Sequence, residues 1–189
     1  MTKRIFIWVA HPKPGSLNAA LAERYATGAR ARGADVRIMH LAEMQTETGY
    51  ADGATLSPDV VAWQDNIRWA EHVMIVHPYW WGAMPAQAKA VMDAGLQSGF
   101  AYKYKARGVA WDKLLTGRTG DAIITSDTPP WIDTLLYRSP GRRVMRNQVM
   151  KFVGVKPRRV IQLGSVKLAK PEKLDRWLQQ AEAMGAAAA

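Results

Sequence analysis

Gly15-Ser16-Leu17-Asn18 follows closely on an apolar run and opens a segment with helical spacing. In that setting Gly15 lets the backbone approach an anion, and Ser16 with the amides of Leu17 and Asn18 offers unpaired donors that suit a phosphate. A Gly-Ser turn that only caps a helix reads the same way, so the segment by itself leaves both roles open. The second conspicuous stretch is Pro78-Tyr79-Trp80-Trp81-Gly82-Ala83-Met84-Pro85, in which two adjacent tryptophans sit in a loop bounded by Pro and Gly. Such a loop is costly to leave bare in water and suits a planar ring; the alternative is one Trp in the core and the other at a dimer contact.

The remaining candidates are weaker. His40, His72 and His77 fall at strand ends without metal-ligand spacing, which points to satisfied structural roles and no metal site. Asp93 lies inside a helical pattern and reads as a solvent or salt-bridge residue, and no serine sits in a nucleophile-elbow pattern. With no cysteine in the chain, disulfides, thiolate metal sites, iron–sulfur clusters and a thiol nucleophile are excluded. Redox chemistry would have to come from a bound cofactor.

The elements that must position these residues alternate. Ile5 to Ala10 is an unbroken apolar run, the signature of a strand buried on both faces, and Leu17, Leu21, Tyr25 and Gly28 then recur at helical spacing up to a stop near Gly33. Val36 to His40 predicts a second strand nearer the sheet edge. Ser57-Pro58 predicts a helix start, carried on by Val61, Asn66, Ile67 and Trp69 to Glu71, before a third strand over His72 to His77. Pro85 opens a helix through Ala88, Met92 and Leu96 that ends near Gly99; Ala122 to Thr125 and Val160 to Leu163 are the fourth and fifth strands. Thr134 to Val153 reads as helical but interrupted by Pro140-Gly141, either two helices or one broken one, and Glu172 to Met184 as the last helix.

This alternation predicts an α/β fold, a five-stranded parallel sheet in the order 2-1-3-4-5 with helices on both faces. A six-stranded dinucleotide-binding sheet fits less well, because the turn after the first strand lacks the G-x-G-x-x-G spacing. In such a sheet, ligands sit beyond the carboxyl ends of the strands at the switch point, between strands one and three, where His11 to Ser16 and Pro78 to Met84 should meet.

At 189 residues and 48% hydrophobic, one domain is expected over residues 1–185, with an alanine tail at 186–189 that is frayed or a cloning remnant. No apolar run approaches the roughly 20 residues of a membrane span, and no signal peptide precedes the first strand, so cytoplasm is the expected address. The net charge of +10 is concentrated: residues 134–171 hold ten basic and no acidic side chains, so the other 16 basic residues balance all 16 acidic ones. A solvated surface is the plain reading of that stretch; a membrane surface or a phosphorylated ligand is the alternative, and no nucleic-acid partner is expected.

Three separated motifs carry a resemblance: Ala10-His11-Pro12 with Gly15-Ser16-Leu17-Asn18, then His77-Pro78-Tyr79-Trp80-Trp81-Gly82-Ala83-Met84-Pro85-Ala86, then Gly99-Phe100-Ala101-Tyr102-Lys103-Tyr104. In this order they resemble the NAD(P)H:quinone oxidoreductase family, the flavodoxin-like group that includes DT-diaphorase and bacterial relatives. The resemblance implies a single flavodoxin-like, flavin-binding domain and a homodimer with a shared active site. It also implies FMN or FAD as cofactor, NADH or NADPH as hydride donor, and a quinone or similar compound as acceptor. Carried over, it sets His11, Gly15, Ser16, Leu17 and Asn18 on the phosphate side and Pro78, Tyr79, Trp80, Trp81 and Gly82 around the isoalloxazine edge, with Trp81 beside the ring. Tyr102 and Tyr104 match the tyrosines that line the acceptor pocket; in the turn after the fourth strand, where the chain departs from the family, Thr125, Ser126, Asp127 and Thr128 are still expected to contact the ring through backbone amides, and Trp131 and Tyr137 to shape the acceptor side.

One departure stands out. Many members have a Thr-Thr-Gly-Gly turn followed by a Tyr and a His for proton transfer, whereas this chain reads Thr125-Ser126-Asp127-Thr128-Pro129-Pro130-Trp131 and has no histidine after His77. The resemblance therefore leaves the proton donor unassigned. It also leaves open a nitro-, azo- or enone-reducing enzyme on the same flavin site, a one-electron carrier, and a regulatory flavoprotein docked through the basic stretch.

Overall fold

The computed structural model describes residues 2–45 and 55–189. Five parallel strands form the central sheet: β1 (Arg4–Val9), β2 (Asp35–His40), β3 (His72–Pro78), β6 (Thr119–Ser126) and β7 (Lys156–Gly164). Between β3 and β6 the chain inserts a small antiparallel hairpin, β4 (Tyr102–Tyr104) and β5 (Trp111–Lys113), which the sequence reading did not anticipate. The main sheet therefore runs β2-β1-β3-β6-β7 and not through five consecutive strands of the chain.

Burial explains the patterns. Ile5 to Val9 and all of β3 are buried because helices cover both faces of the inner strands. Alternate side chains serve opposite cores: Phe6, Trp8, Val73 and Ile75 pack under α2 (Pro58–Trp69) and α3 (Ala86–Gly95), while Ile5, Ile7, Val9 and Met74 pack under α1 (Leu17–Arg30) and α7 (Pro171–Ala188).

The segment after β6 differs from expectation. A short helix, α4 (Pro130–Leu135), ends in a turn where Arg138 and Ser139 adopt φ of 59° and 54°. Helical chain then resumes at Pro140, as α5 (Pro140–Arg143), a π-helical stretch over Val144–Met150 and α6 (Lys151–Val153). Of the two alternatives the two-helix one therefore holds, with the first helix starting earlier, at Pro130, and Pro140 opening the second, since a first-turn residue needs no amide hydrogen and its fixed φ suits the position. Arg142 locks the turn from within, reaching buried Asp133 at 3.1 Å and Thr134 Oγ1 at 2.8 Å.

The alanine tail is likewise corrected. Helix α7 continues through Ala188, which is buried, because α1 and α7 pack almost backbone to backbone. A side chain at Gly28 would run into the Glu182 carbonyl, and one at Gly185 into that of Tyr25, so this close approach requires glycine at both positions.

A buried polar chain ties the amino end of the sheet to both helices. Thr119 Oγ1 lies 2.7 Å from His72 Nδ1, Tyr25 Oη lies 2.8 Å from His72 Nε2, and Tyr25 donates to Asp121 Oδ2 at 2.9 Å. Asp121 sits at an irregularity in the β6–β7 pairing, where its Oδ1 accepts the Arg159 amide at 2.9 Å in place of a ladder bond. Burial holds His72 neutral, with its pKa lowered to about 3, and raises that of the Tyr25 phenol. His72 is therefore satisfied, as expected.

Candidate functional site

At the carboxyl edge of the sheet, between β1 and β3, two loops and a strand end enclose a groove of about 460 Å³. Its walls are His11, Lys13 and Gly15 to Asn18 from the first loop, Pro78 to Trp80 from the second, and Thr125 to Thr128 from the end of β6, with Val166 closing one side. Gly15 takes φ +63° with open space where a side chain would stand. Ser16 is the N-cap of α1, its Oγ accepting the Ala19 amide at 3.3 Å. The amides of Leu17 and Asn18 find no acceptor among the described residues, leaving two donors at the positive end of the helix dipole.

Inner side chains fix the walls. Asn18 is buried, and its Oδ1 accepts the Thr125 hydroxyl at 3.0 Å, joining the start of α1 to the end of β6. Pro78 pairs with Thr125 across the sheet, and the Tyr79 amide donates to the Thr125 carbonyl at 2.7 Å. Ser126 Oγ accepts the Thr128 amide at 3.0 Å. Asp127, the one acidic residue in these walls, accepts the Lys167 amide at 2.8 Å, an engagement that draws its carboxylate toward the turn at Val166–Leu168.

His11 is a donor here. Its Nδ1 accepts the Lys13 amide at 2.9 Å, so the neutral ring carries its proton on Nε2. Burial, then the Lys13 charge, lowers its pKa and keeps it neutral. The ring stands edge-on to Trp80, 5.4 Å between centroids.

Trp81 does not join the groove. Trp80 and Ala83 close a tight turn by exchanging backbone hydrogen bonds of 2.8 and 2.9 Å, with Trp81 at φ 50° and Gly82 at φ 81° as its central residues. That geometry turns the Trp81 side chain fully into solvent. Gly82 lines a different cavity.

This second cavity, of about 530 Å³, lies on the α3 side of the sheet and shares Tyr79 with the groove. Met84, Met92 and Leu96 form one wall and Met145, Val149 and Phe152 the other, with Lys89, Asp93 and Gln148 also lining it. Asp93 is paired with Lys89 at 2.6 Å, as expected of a surface residue. Tyr102 lines this cavity and packs edge-on to Phe152. Tyr104 and Trp131 are exposed and belong to neither space.

His77 departs from its expected satisfied role. It is buried in the second cavity's wall, and its Nδ1 lies 2.9 Å from the Pro78 carbonyl and so carries the proton. Its Nε2 has no partner among the described residues. Burial lowers its pKa to about 4 against the opposing Pro78 hydrogen bond, so the ring is neutral. Sequence reasoning also missed Val166, which carries no pattern of its own, and gave Lys13, inside the expected His11 to Ser16 loop, no role. Of the basic stretch, Arg142 and Arg159 turn inward onto buried Asp133 and Asp121. No helix among the described residues is long and apolar enough to cross a membrane.

The sequence pattern of a family described as having a flavodoxin-like fold matches residues 3–185. A ribosyldihydronicotinamide dehydrogenase-like protein of Penicillium crustosum is 28% identical over 156 residues, 70% of this chain and 57% of its own length. The chain spans about half the length of the curated relatives it matches. Among solved structures, Smu.1420 of Streptococcus mutans superposes with a TM-score of 0.85 at 22% identity, over 97% of this chain and 99% of the other. An NAD(P)H:quinone oxidoreductase of Methanothermobacter marburgensis superposes at 0.79 and 22% identity, over 98% of each chain. At these identities the structures speak to the fold.

Proposed function

Because the chain belongs to this family with the flavodoxin-like fold, we propose that it is a flavin-dependent oxidoreductase that takes hydride from NADH or NADPH and reduces a quinone-like compound. The observation that carries the reading is the groove itself, where the start of α1, the end of β3 and the Thr125–Thr128 turn converge at the switch point. The names of the relatives support the same chemistry.

The residues present fit FMN or FAD. The unpaired amides of Leu17 and Asn18, opened by the bare Gly15 turn, would hold the phosphate. Pro78 to Trp80 and the Thr125–Thr128 turn would border the ring. When bound, the flavin supplies the hydride-accepting and hydride-donating centre. The chain contributes position: the Asn18–Thr125 hydrogen bond keeps the two sides of the groove in register, and His11 presents an N–H donor at its mouth. Tying Asp127 to the Lys167 amide lessens the repulsion its charge would exert on an electron-rich ring. A second copy completes the acceptor side in this reading, which gives exposed Trp81 a partner.

Purified protein should be yellow and should bleach anaerobically with NADH or NADPH, and chromatography of the heat-released cofactor identifies it as FMN or FAD. Colourless protein that takes up no added flavin refutes the proposal, and bleaching by dithionite alone makes the protein an electron carrier instead. Ser16→Glu, which sets a carboxylate at the phosphate position, should expel the flavin.

A further inference from the structure

The second cavity holds one feature that packing does not explain. Its two facing walls, Met84, Met92 and Leu96 against Met145, Val149 and Phe152, are apolar, although Lys89, Asp93 and Gln148 also line the space, and the ring of His77 is set among them from the central strand β3. Side-chain alternation along β3 places His77 on the same face as Val73 and Ile75, toward α3. Because Nδ1 is committed to the Pro78 carbonyl, Nε2 keeps a lone pair that cannot donate and that accepts from no donor among the described residues. Buried polar atoms are satisfied in the great majority of cases, so a lone pair beside a cavity of about 530 Å³ calls for a donor brought by a ligand.

We propose that His77 Nε2 is the hydrogen-bond acceptor of this cavity and selects a flat aromatic compound that carries a neutral hydroxyl. The apolar walls take the aromatic body, and the hydroxyl donates to Nε2 once the adaptable methionine side chains Met84, Met92 and Met145 make way. Burial keeps His77 neutral, so the bond is donor to lone pair and demands no charge on the ligand. Tyr79 borders both this cavity and the groove, which sets such a compound next to the proposed flavin site. The inference rests on the oxidoreductase reading only in taking the bound compound to be the one reduced.

Two measurements test it. In the first, wild-type protein labelled with ¹⁵N-histidine is titrated with 2-naphthol and, in parallel, with naphthalene. The Nε2 resonance of His77 should move upfield with 2-naphthol and stay in place with naphthalene; an unmoved resonance at saturating 2-naphthol overturns the proposal. This arm needs no flavin, so it stands even if the protein takes up none.

In the second, flavin-loaded enzyme reduces 2-hydroxymethyl- and 2-methyl-1,4-naphthoquinone, and the ratio of their kcat/KM is compared between wild type and His77→Phe. Loss of one buried hydrogen bond should lower the ratio about tenfold. His77→Gln, which restores an acceptor, should recover part of it. An unchanged ratio in His77→Phe overturns the role of His77 while leaving the flavin reading intact.

Discussion

Tyr25→Phe removes one oxygen atom, and the structure permits its cost to be worked through. The hydrogen-bond chain has a single consistent sense: the Thr119 hydroxyl donates to His72 Nδ1, His72 Nε2–H donates to Tyr25 Oη, and the Tyr25 hydroxyl donates to the Asp121 carboxylate. Phe at position 25 strands the His72 N–H in a fully buried site, at about 1–3 kcal/mol, and deprives Asp121 of one charge-assisted bond, at about 1.5–3 kcal/mol. Asp121 keeps the Arg159 amide and guanidinium, which offsets part of the second loss. A net loss of roughly 3–4 kcal/mol follows, a large share of the 5–15 kcal/mol that is usual for a folded domain. For a chain of this size that lowers Tm by roughly 6–16 °C. Urea denaturation followed by far-UV circular dichroism reads it directly, as a fall in midpoint at unchanged slope. The chain lies at the amino ends of β3 and β6, away from the groove, so flavin uptake by the folded variant should be unaltered. A loss below about 1 kcal/mol, or additive effects of Tyr25→Phe and His72→Phe in a double-mutant cycle, would mean that these side chains are not coupled as drawn.

Three other outcomes are expected. Both buried histidines are held below their ordinary pKa near 6.5, His72 at about 3 and His77 at about 4. On acidification the unfolded chain takes up these protons first, so stability falls between pH 6.5 and about 4 by up to about 1.4 kcal/mol per pH unit for each histidine. Equal urea midpoints at pH 7 and pH 5 would contradict this. Asn18→Leu leaves the Thr125 hydroxyl without its acceptor and should cost about 1–3 kcal/mol while weakening flavin retention during gel filtration; a variant that holds flavin as well as wild type removes the positioning role given to Asn18. Gly28→Val drives a side chain into the Glu182 carbonyl and should force α7 off α1, seen as increased amide exchange along 171–188; protection equal to wild type would show that α7 stays docked and that the close approach tolerates a side chain at position 28.

How far the sequence reached depended on whether a feature was local. The inner strands were legible because burial on both faces demands an unbroken apolar run, as in Ile5 to Ala10 and His72 to His77. The start of α1 was legible because an N-cap and a left-handed glycine are requirements of neighbouring residues, met at Ser16 and Gly15. Strand order then brought Gly15–Asn18, Pro78–Trp80 and Thr125–Thr128 to one edge, so most of the candidate groove followed from the pattern of elements. The hairpin β4–β5 escaped because three-residue strands carry little periodicity; what secures it is remote, with Trp111 donating to the Phe152 carbonyl at 2.9 Å and stacking on its ring.

The residue pattern alone was enough for the five strands of the main sheet, the long helices and the loop that could cradle an anion, since those follow from side-chain period and from the conformational needs of Gly, Pro and Ser. Tertiary packing settled that the last helix runs on to a buried Ala188 and that Tyr102 belongs to a cavity separate from the groove. It also decided that His72 is satisfied and His77 is not, although both lie on the same strand. The reason is the same in each case: hydrogen-bond partners and packing neighbours here come from residues tens of positions away, as Tyr25 and Thr119 do for His72, and a linear pattern holds no record of which distant groups will meet.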